Sequence, residues 1–203
     1  MKRLLLDACS IYVGTIKTPD DLTELTDNLL GLTNGGVTVT AAPNVRQIEF
    51  DGKRERRIKD MNRILGWDCG VETKGLELNE SSLVLSLLEK DADYTGDNYE
   101  KFKPSNQISY KDLIVVGQLH GSKPMIVVLK NCFNEAGFSL ETSDSNEGTY
   151  ALNAYANYTY DPIKDAAGTT EIPMEIYLPK PGGGVSVVSV ESLPDAENSE
   201  SNA

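Results

Sequence analysis

Six of the nineteen basic residues, Lys53, Arg54, Arg56, Arg57, Lys59 and Arg63, fall within eleven positions and form the densest concentration of chemistry in the chain. Only Glu55 and Asp60 oppose them, so this stretch carries +4 within a 203-residue chain of net charge -12. The other 192 residues therefore sum to -16. A basic cluster of this density is tolerable only when solvated or matched by acids. It can be a nucleic-acid patch, a solvated loop, or a hairpin tip that docks on an acidic surface of an identical neighbour. The overall acidity argues against a grip on phosphates, because like charges repel. The docking tip suits the charge balance best.

Other reactive groups are sparse. His120, in Gln118-Leu119-His120-Gly121-Ser122, is the single histidine, and a nucleophile–base pair would also need an orienting third group. Cys9, Cys69 and Cys132 are odd in number and far apart, which supports neither a disulfide framework nor a zinc knuckle. Asp91-Ala92-Asp93-Tyr94-Thr95-Gly96-Asp97 begins like a calcium loop, but position twelve, where a bidentate Glu is needed, is Phe102. An acidic surface loop is the expectation there. Asn79-Glu80-Ser81 and Asn157-Tyr158-Thr159 match the glycosylation pattern, yet both have structural readings. Gly182-Gly183-Gly184 does not open a helix, so it is no phosphate cradle. The sequence predicts no catalytic, cofactor-binding or metal-binding residue, and hence no enzyme.

The elements that would position these groups follow a period of two. Leu65 to Glu72 alternates apolar with Gly or acid, which predicts a strand with Trp67 and Cys69 on its core face. Tyr150 to Tyr160 alternates likewise, with Tyr150, Leu152, Tyr158 and Tyr160 on one face. It could be a stacking platform for bases or sugars, but core packing is the safer reading. Further strands are expected at Leu4–Val13, Val37–Thr40, Val45–Phe50, Leu113–Leu119, Phe138–Thr142 and Ile172–Leu178. Met125–Leu129, apolar on both faces, should be central, with Asn131–Gly137 a loop after it.

One helix is expected after Asn79, its buried stripe formed by Leu83, Val84, Leu87 and Leu88, with Lys90 in the last turn. A weaker one follows Thr18-Pro19-Asp20-Asp21, using Leu22, Leu25 and Leu29. Three apolar residues, Leu4–Leu6, are too few for an export signal, and no run reaches the ~18 of a membrane span. A chain made and kept without export is the expectation. Residues 1–180 read as one antiparallel sandwich or open barrel with a flanking helix, and 181–203 as a glycine and acidic tail.

Gly35-Gly36-Val37-Thr38-Val39-Thr40, then Ile48-Glu49-Phe50-Asp51-Gly52, the Lys/Arg segment and Trp67 to Leu78 resemble the first half of a phage major tail tube protein of the siphophage type. The leucine helix, Lys123-Pro124-Met125-Ile126-Val127-Val128-Leu129-Lys130-Asn131, the tyrosine strand into Tyr160-Asp161-Pro162, and Ile172-Pro173-Met174-Glu175-Ile176 continue the likeness over about 1–180. The resemblance implies two β-sheets with a helix, a homohexameric ring whose inner sheet joins its neighbours into a barrel, and rings stacked as a conduit for DNA. It also implies a virion location after assembly in the host cytoplasm, and as partners other copies of itself, a tape measure protein and further tail proteins. DNA would pass without specific binding, and no membrane is involved. Tubes of contractile injection machines share that fold. Rival readings are a monomeric glycan-binding β-sandwich and a small carboxylate hydrolase. Under the tube reading Lys53, Arg54, Arg56, Arg57, Lys59 and Arg63 are inter-subunit residues.

Overall fold

The computed structural model describes residues 5–20, 22–51, 56–119, 123–144 and 146–180. Over these residues the order is β1 (Leu5–Val13), a 3-10 turn (Thr23–Asn28), β2 (Thr33–Gln47), β3 (Asn62–Gly75) and α1 (Glu80–Leu85). Then come β4 (Leu88–Lys90), β5 (Phe102–Pro104), β6 (Lys111–Leu119), β7 (Met125–Asn134), β8 (Leu140–Ser143), β9 (Asn146–Tyr155), α2 (Pro162–Ala167) and β10 (Met174–Tyr177). All pairings are antiparallel.

Two layers share β7. Its first half lies between β6 and β10, with β1 beyond β6. Its last residues, Phe133 and Asn134, pair with β9, which also pairs with β3 and β8, and β2 lies outside β3. The switch between layers occurs at Asn131, whose φ of 53° is in the left-handed region that asparagine tolerates. Its N–H donates to Asp112 Oδ1 at 2.8 Å, and its side-chain amide donates to the Asn157 carbonyl at 3.2 Å. The loop expected at Asn131–Gly137 is thus a bent strand as far as Asn134.

The core fills the space between the layers. Ile11, Leu113, Val115, Val127, Leu129 and Cys132 meet Cys69, Val71, Tyr150, Leu152 and Ala154 from the other sheet, with Leu85 of α1 among them. Each large apolar side chain buried there contributes about 1.5–3 kcal/mol. Ile114, Ile126 and Val128 point to the opposite face, where Leu25 of the 3-10 turn covers them. Two covered faces explain why Met125–Leu129 is apolar throughout. The molecule is a mainly β, antiparallel two-sheet sandwich with a flanking helix, as expected.

Four expectations need correction. Val37–Thr40 and Val45–Phe50 belong to one strand, β2, which runs through Pro43 and ends at Gln47. Pro43 is accommodated because β2 is an edge, where one row of backbone donors has no partner strand among the described residues. The tyrosine strand stops at Tyr155, because the Asn157 amide bonds back to the Asn131 and Tyr155 carbonyls at 2.9 and 3.0 Å and bends the chain. Tyr158 and Tyr160 therefore leave the sheet.

The third correction is the helix stripe. Asn79 does cap α1: its side chain accepts from Ser82 N–H at 2.9 Å, and Ser82 Oγ accepts from Asn79 N–H at 3.0 Å. Yet the buried face is Ser82, Leu85 and Ser86 rather than Leu83, Val84, Leu87 and Leu88. The amide of Asn134 donates to Ser86 Oγ at 3.0 Å, so the serines, not the leucine pairs, face inward. Leu87 ends the helix with a φ of 64°, Leu88 starts β4, and Lys90 pairs with Glu100 at 2.5 Å instead of sitting in a last turn. Lastly, the weaker helix is the 3-10 turn, which buries Leu25 but leaves Leu29 exposed.

Outer strands are shorter than expected, as β8 and β10 hold four residues each. Residues 181–203 and His120 lie outside the described residues.

Candidate assembly surfaces

The β2–β3 hairpin outgrows the sandwich. Its last pair with a third strand is Gly70 opposite Tyr155, yet the ladder continues through Val45–Ile64, Arg46–Arg63 and Gln47–Asn62. Ile48 N–H still reaches the Met61 carbonyl at 2.8 Å. Eight residues of β3 beyond Gly70 span roughly 26 Å at ~3.3 Å per residue, so the hairpin is an arm. A bulge after Asn44 leaves Leu65 without a partner residue, which bends the arm and re-aims its side chains. At the base, Trp67 N–H donates to Tyr158 Oη at 2.8 Å, bracing the arm against the segment after β9.

The arm carries the basic cluster. Arg56, Arg57 and Lys59 are exposed in its tip and Arg63 is exposed on β3, while Lys53 and Arg54 lie outside the described residues. None of these four forms an ion pair with a described residue. Arg46 adds to the charge directly opposite Arg63, and like charges facing across a ladder are destabilising unless something else compensates them. The arm also exposes Val45, Ile48, Phe50, Ile64 and Leu65, each between 45% and 57% accessible. An apolar patch rimmed by cations on a projecting hairpin is the composition of a docking surface.

A second surface is the sheet β2–β3–β9–β8. Among the described residues β2 pairs with β3 alone and β8 with β9 alone, so there both outer strands are open edges. From Thr33 to Val45, β2 has no charged residue, and its edge is interrupted only by Pro43 and by the irregularity between Asn34 and Thr38, where Gly35 and Gly36 take positive φ. Core-facing Val71 pairs with Val39, which places Thr38, Thr40, Asp68, Glu72 and Lys74 on the outer face. There Tyr155 Oη donates to Glu72 at 2.9 Å, and Lys74 pairs with Glu141 at 3.3 Å. Gly70 sits opposite Tyr155, where an added Cβ would lie 2.8 Å from the ring. Asp68, Glu72 and Glu141 against Lys74 leave this face acidic.

The remaining candidates resolve locally. In the calcium-like loop, Asp91 faces Lys101 at 2.8 Å and Lys103 at 3.9 Å, and the Lys101 bond holds its carboxyl below the usual range. Burial pushes the Cys132 thiol up to about 12 and raises that of Cys69, so both are inert packing groups. Of the glycosylation-like asparagines, Asn79 is the helix cap and Asn157 the bend anchor. Tyr150 is buried beside Leu152 and Ala154, which agrees with the core-packing reading of this strand rather than with a stacking platform. A separate cleft of about 550 Å³ lies at the arm base, lined by Arg63, Leu65, Trp67, Tyr158, Tyr160 and Ile172 among others. No described helix is long and apolar enough to cross a membrane.

Sequence reasoning missed Arg46 and the exposed apolar set on the arm. The signal was present in Val45–Phe50, a run that alternates like a half-buried strand but has no third strand to cover it. No protein-family model matches the chain, and no curated protein matches it.

Proposed function

We propose that this protein is a self-assembling structural subunit, joined edge to edge into rings that stack as a tube of the phage tail type. The observation that carries the reading is the four-stranded sheet whose outer strands are open edges among the described residues, of which β2 is long, exposed and free of charge from Thr33 to Val45. Such an edge templates pairing with another chain unless blunted. Pairing β2 of one copy with β8 of the next repeats a heterologous contact, which closes into a ring when the rotation allows. In that ring the outer face of the sheet becomes the inner wall. Asp68, Glu72 and Glu141 would then line the lumen, where carboxylates repel the phosphates of passing DNA and leave a hydrated, non-binding conduit. The subunit does no catalysis, and the resemblance supplies the tape measure protein and other tail proteins as its partners. A tube of a contractile injection machine uses the same surfaces.

The variant Thr38→Asp/Thr40→Asp tests this directly. Asp has low strand propensity and would meet Glu141 of the next copy, so the variant should melt with the parent yet form no rings. Rings of normal size from it would refute edge pairing. One observation favours a second reading, a glycan-binding module: the cleft between Trp67, Tyr158 and the 79% exposed Tyr160. That reading predicts a strict monomer whose single tryptophan changes fluorescence on adding oligosaccharide.

A further inference from the structure

The two ends of the β2–β3–β9–β8 sheet are chemically opposite. Register fixes the ends: Asn62 starts β3 at the arm, Gly75 ends it opposite Tyr150, and the β8–β9 turn lies four residues further on, with Ser143 opposite Asn146. The arm end carries Arg46, Arg56, Arg57, Lys59 and Arg63 against the exposed acids Glu49, Asp51 and Asp60, and so stays net positive. The far end carries Glu77 and Glu80, where the chain leaves β3 for α1, and Asp144 and Glu147 at the β8–β9 turn. All four acids are exposed, and none forms an ion pair among the described residues.

Both ends are also apolar. The arm exposes Val45, Ile48, Phe50, Ile64 and Leu65; the far end exposes Leu32, Leu78, Phe138 and Leu140, between 42% and 64% accessible. Five large apolar side chains at the arm end and four at the far end of one sheet, rimmed by opposite charges, are self-complementary only head to tail. Two arm ends repel, and two acidic ends repel.

We infer that the arm of one copy docks on the acidic far end of a second copy, with Arg56, Arg57 and Lys59 against Glu77, Glu80, Asp144 and Glu147 around the apolar contact. This rests on the self-assembly reading and names the surface that stacks one ring on the next. The contact is heterologous and does not close, so it propagates a polar stack of indefinite length. Rim charges act mainly on association rate and salt dependence, while the apolar centre holds the stack.

Charge reversal separates the outcomes. Arg56→Glu/Arg57→Glu and Asp144→Lys/Glu147→Lys should each melt with the parent, form rings, and shorten stacks at least tenfold in electron micrographs at low salt. Mixing the two ring populations should restore stacks, since the glutamate arm of one meets the lysine end of the other. A chain carrying both reversals should stack on its own. If the lysine variant misfolds, Asp144→Asn/Glu147→Gln takes its place and should shorten stacks partially. Stacks of parental length from the far-end variants, or no recovery on mixing, overturn this docking surface while leaving ring assembly intact. A parent chain that never leaves the monomer refutes the assembly reading, and this inference with it.

Discussion

Asn134→Ala should cost the fold about 3–5 kcal/mol, more than most single truncations. Asn134 is fully buried at the end of β7, and its amide joins three elements. The two Nδ2 protons are shared among three acceptors, Ser86 Oγ at 3.0 Å, the Gly137 carbonyl at 2.8 Å and the Ala151 carbonyl at 3.0 Å. Oδ1 accepts from Ala136 N–H at 3.2 Å and from Asn153 N–H at 2.9 Å. Ala136 is exposed and water can serve it, but Ser86, Ala151 and Asn153 lose their partner inside the sandwich. At ~1–3 kcal/mol per unmet group, with some water entering the vacated space, three groups give the stated loss.

Chemical denaturation at constant pH measures it. Asn134→Asp sharpens the test, because it keeps the volume but turns a donor into an oxygen that faces two carbonyls. That burial raises the folded pKa of the new carboxyl above its unfolded value of ~3.9. Stability is therefore held at low pH and lost as pH rises through the folded value. The Asp variant should lie closer to its parent at pH 4 than at pH 8, whereas the Ala deficit should stay flat. A loss below ~1 kcal/mol for Asn134→Ala, or an Asp deficit equal at both pH values, refutes the hub.

Leu85→Ala should lose ~2–5 kcal/mol in the same assay, while half-buried Leu83→Ala loses less than half as much; equal losses would restore the originally expected stripe. In native protein a thiol reagent should modify half-buried Cys9 first and leave Cys69 and Cys132 untouched until unfolding; labelling of Cys132 at native rates contradicts the packing. Lys130, at 2.5 Å, and the Tyr177 hydroxyl hold the Glu175 carboxyl below its ordinary 4.5. Its contribution to tethering β10 is present above that value and lost as pH falls below it, so Glu175→Gln and parent should converge in thermal stability toward pH 3. A difference that widens in acid would reverse the sign.

Strands whose burial is decided by neighbours on both faces were legible. Leu113–Leu119 and Met125–Leu129 alternate or saturate because the sandwich core and the Leu25 turn compete for them. The Leu65–Glu72 alternation put Trp67 and Cys69 on the core face, where Cys69 is buried and Trp67 packs against the core, but the bulge at Leu65 depends on how β2 pairs, which is a property of two distant segments. The helix stripe misled for a similar reason. Leucines at favourable spacing lost to serines because Asn134, 48 residues away, supplies a partner. The basic cluster was plain in composition, whereas its length, its apolar companions and the acidic far end emerged only from register. Leu87, with a φ of 64°, could not be foreseen, since bulky residues seldom stop helices this way.

Electron microscopy of the purified chain across a concentration series, at low and high salt, bears most directly on self-assembly. Closed rings that stack in one direction at low salt and separate into rings at high salt are the expected result, because edge pairing is backbone-borne while stacking is partly ionic. A monomer that persists at every concentration and salt contradicts the account.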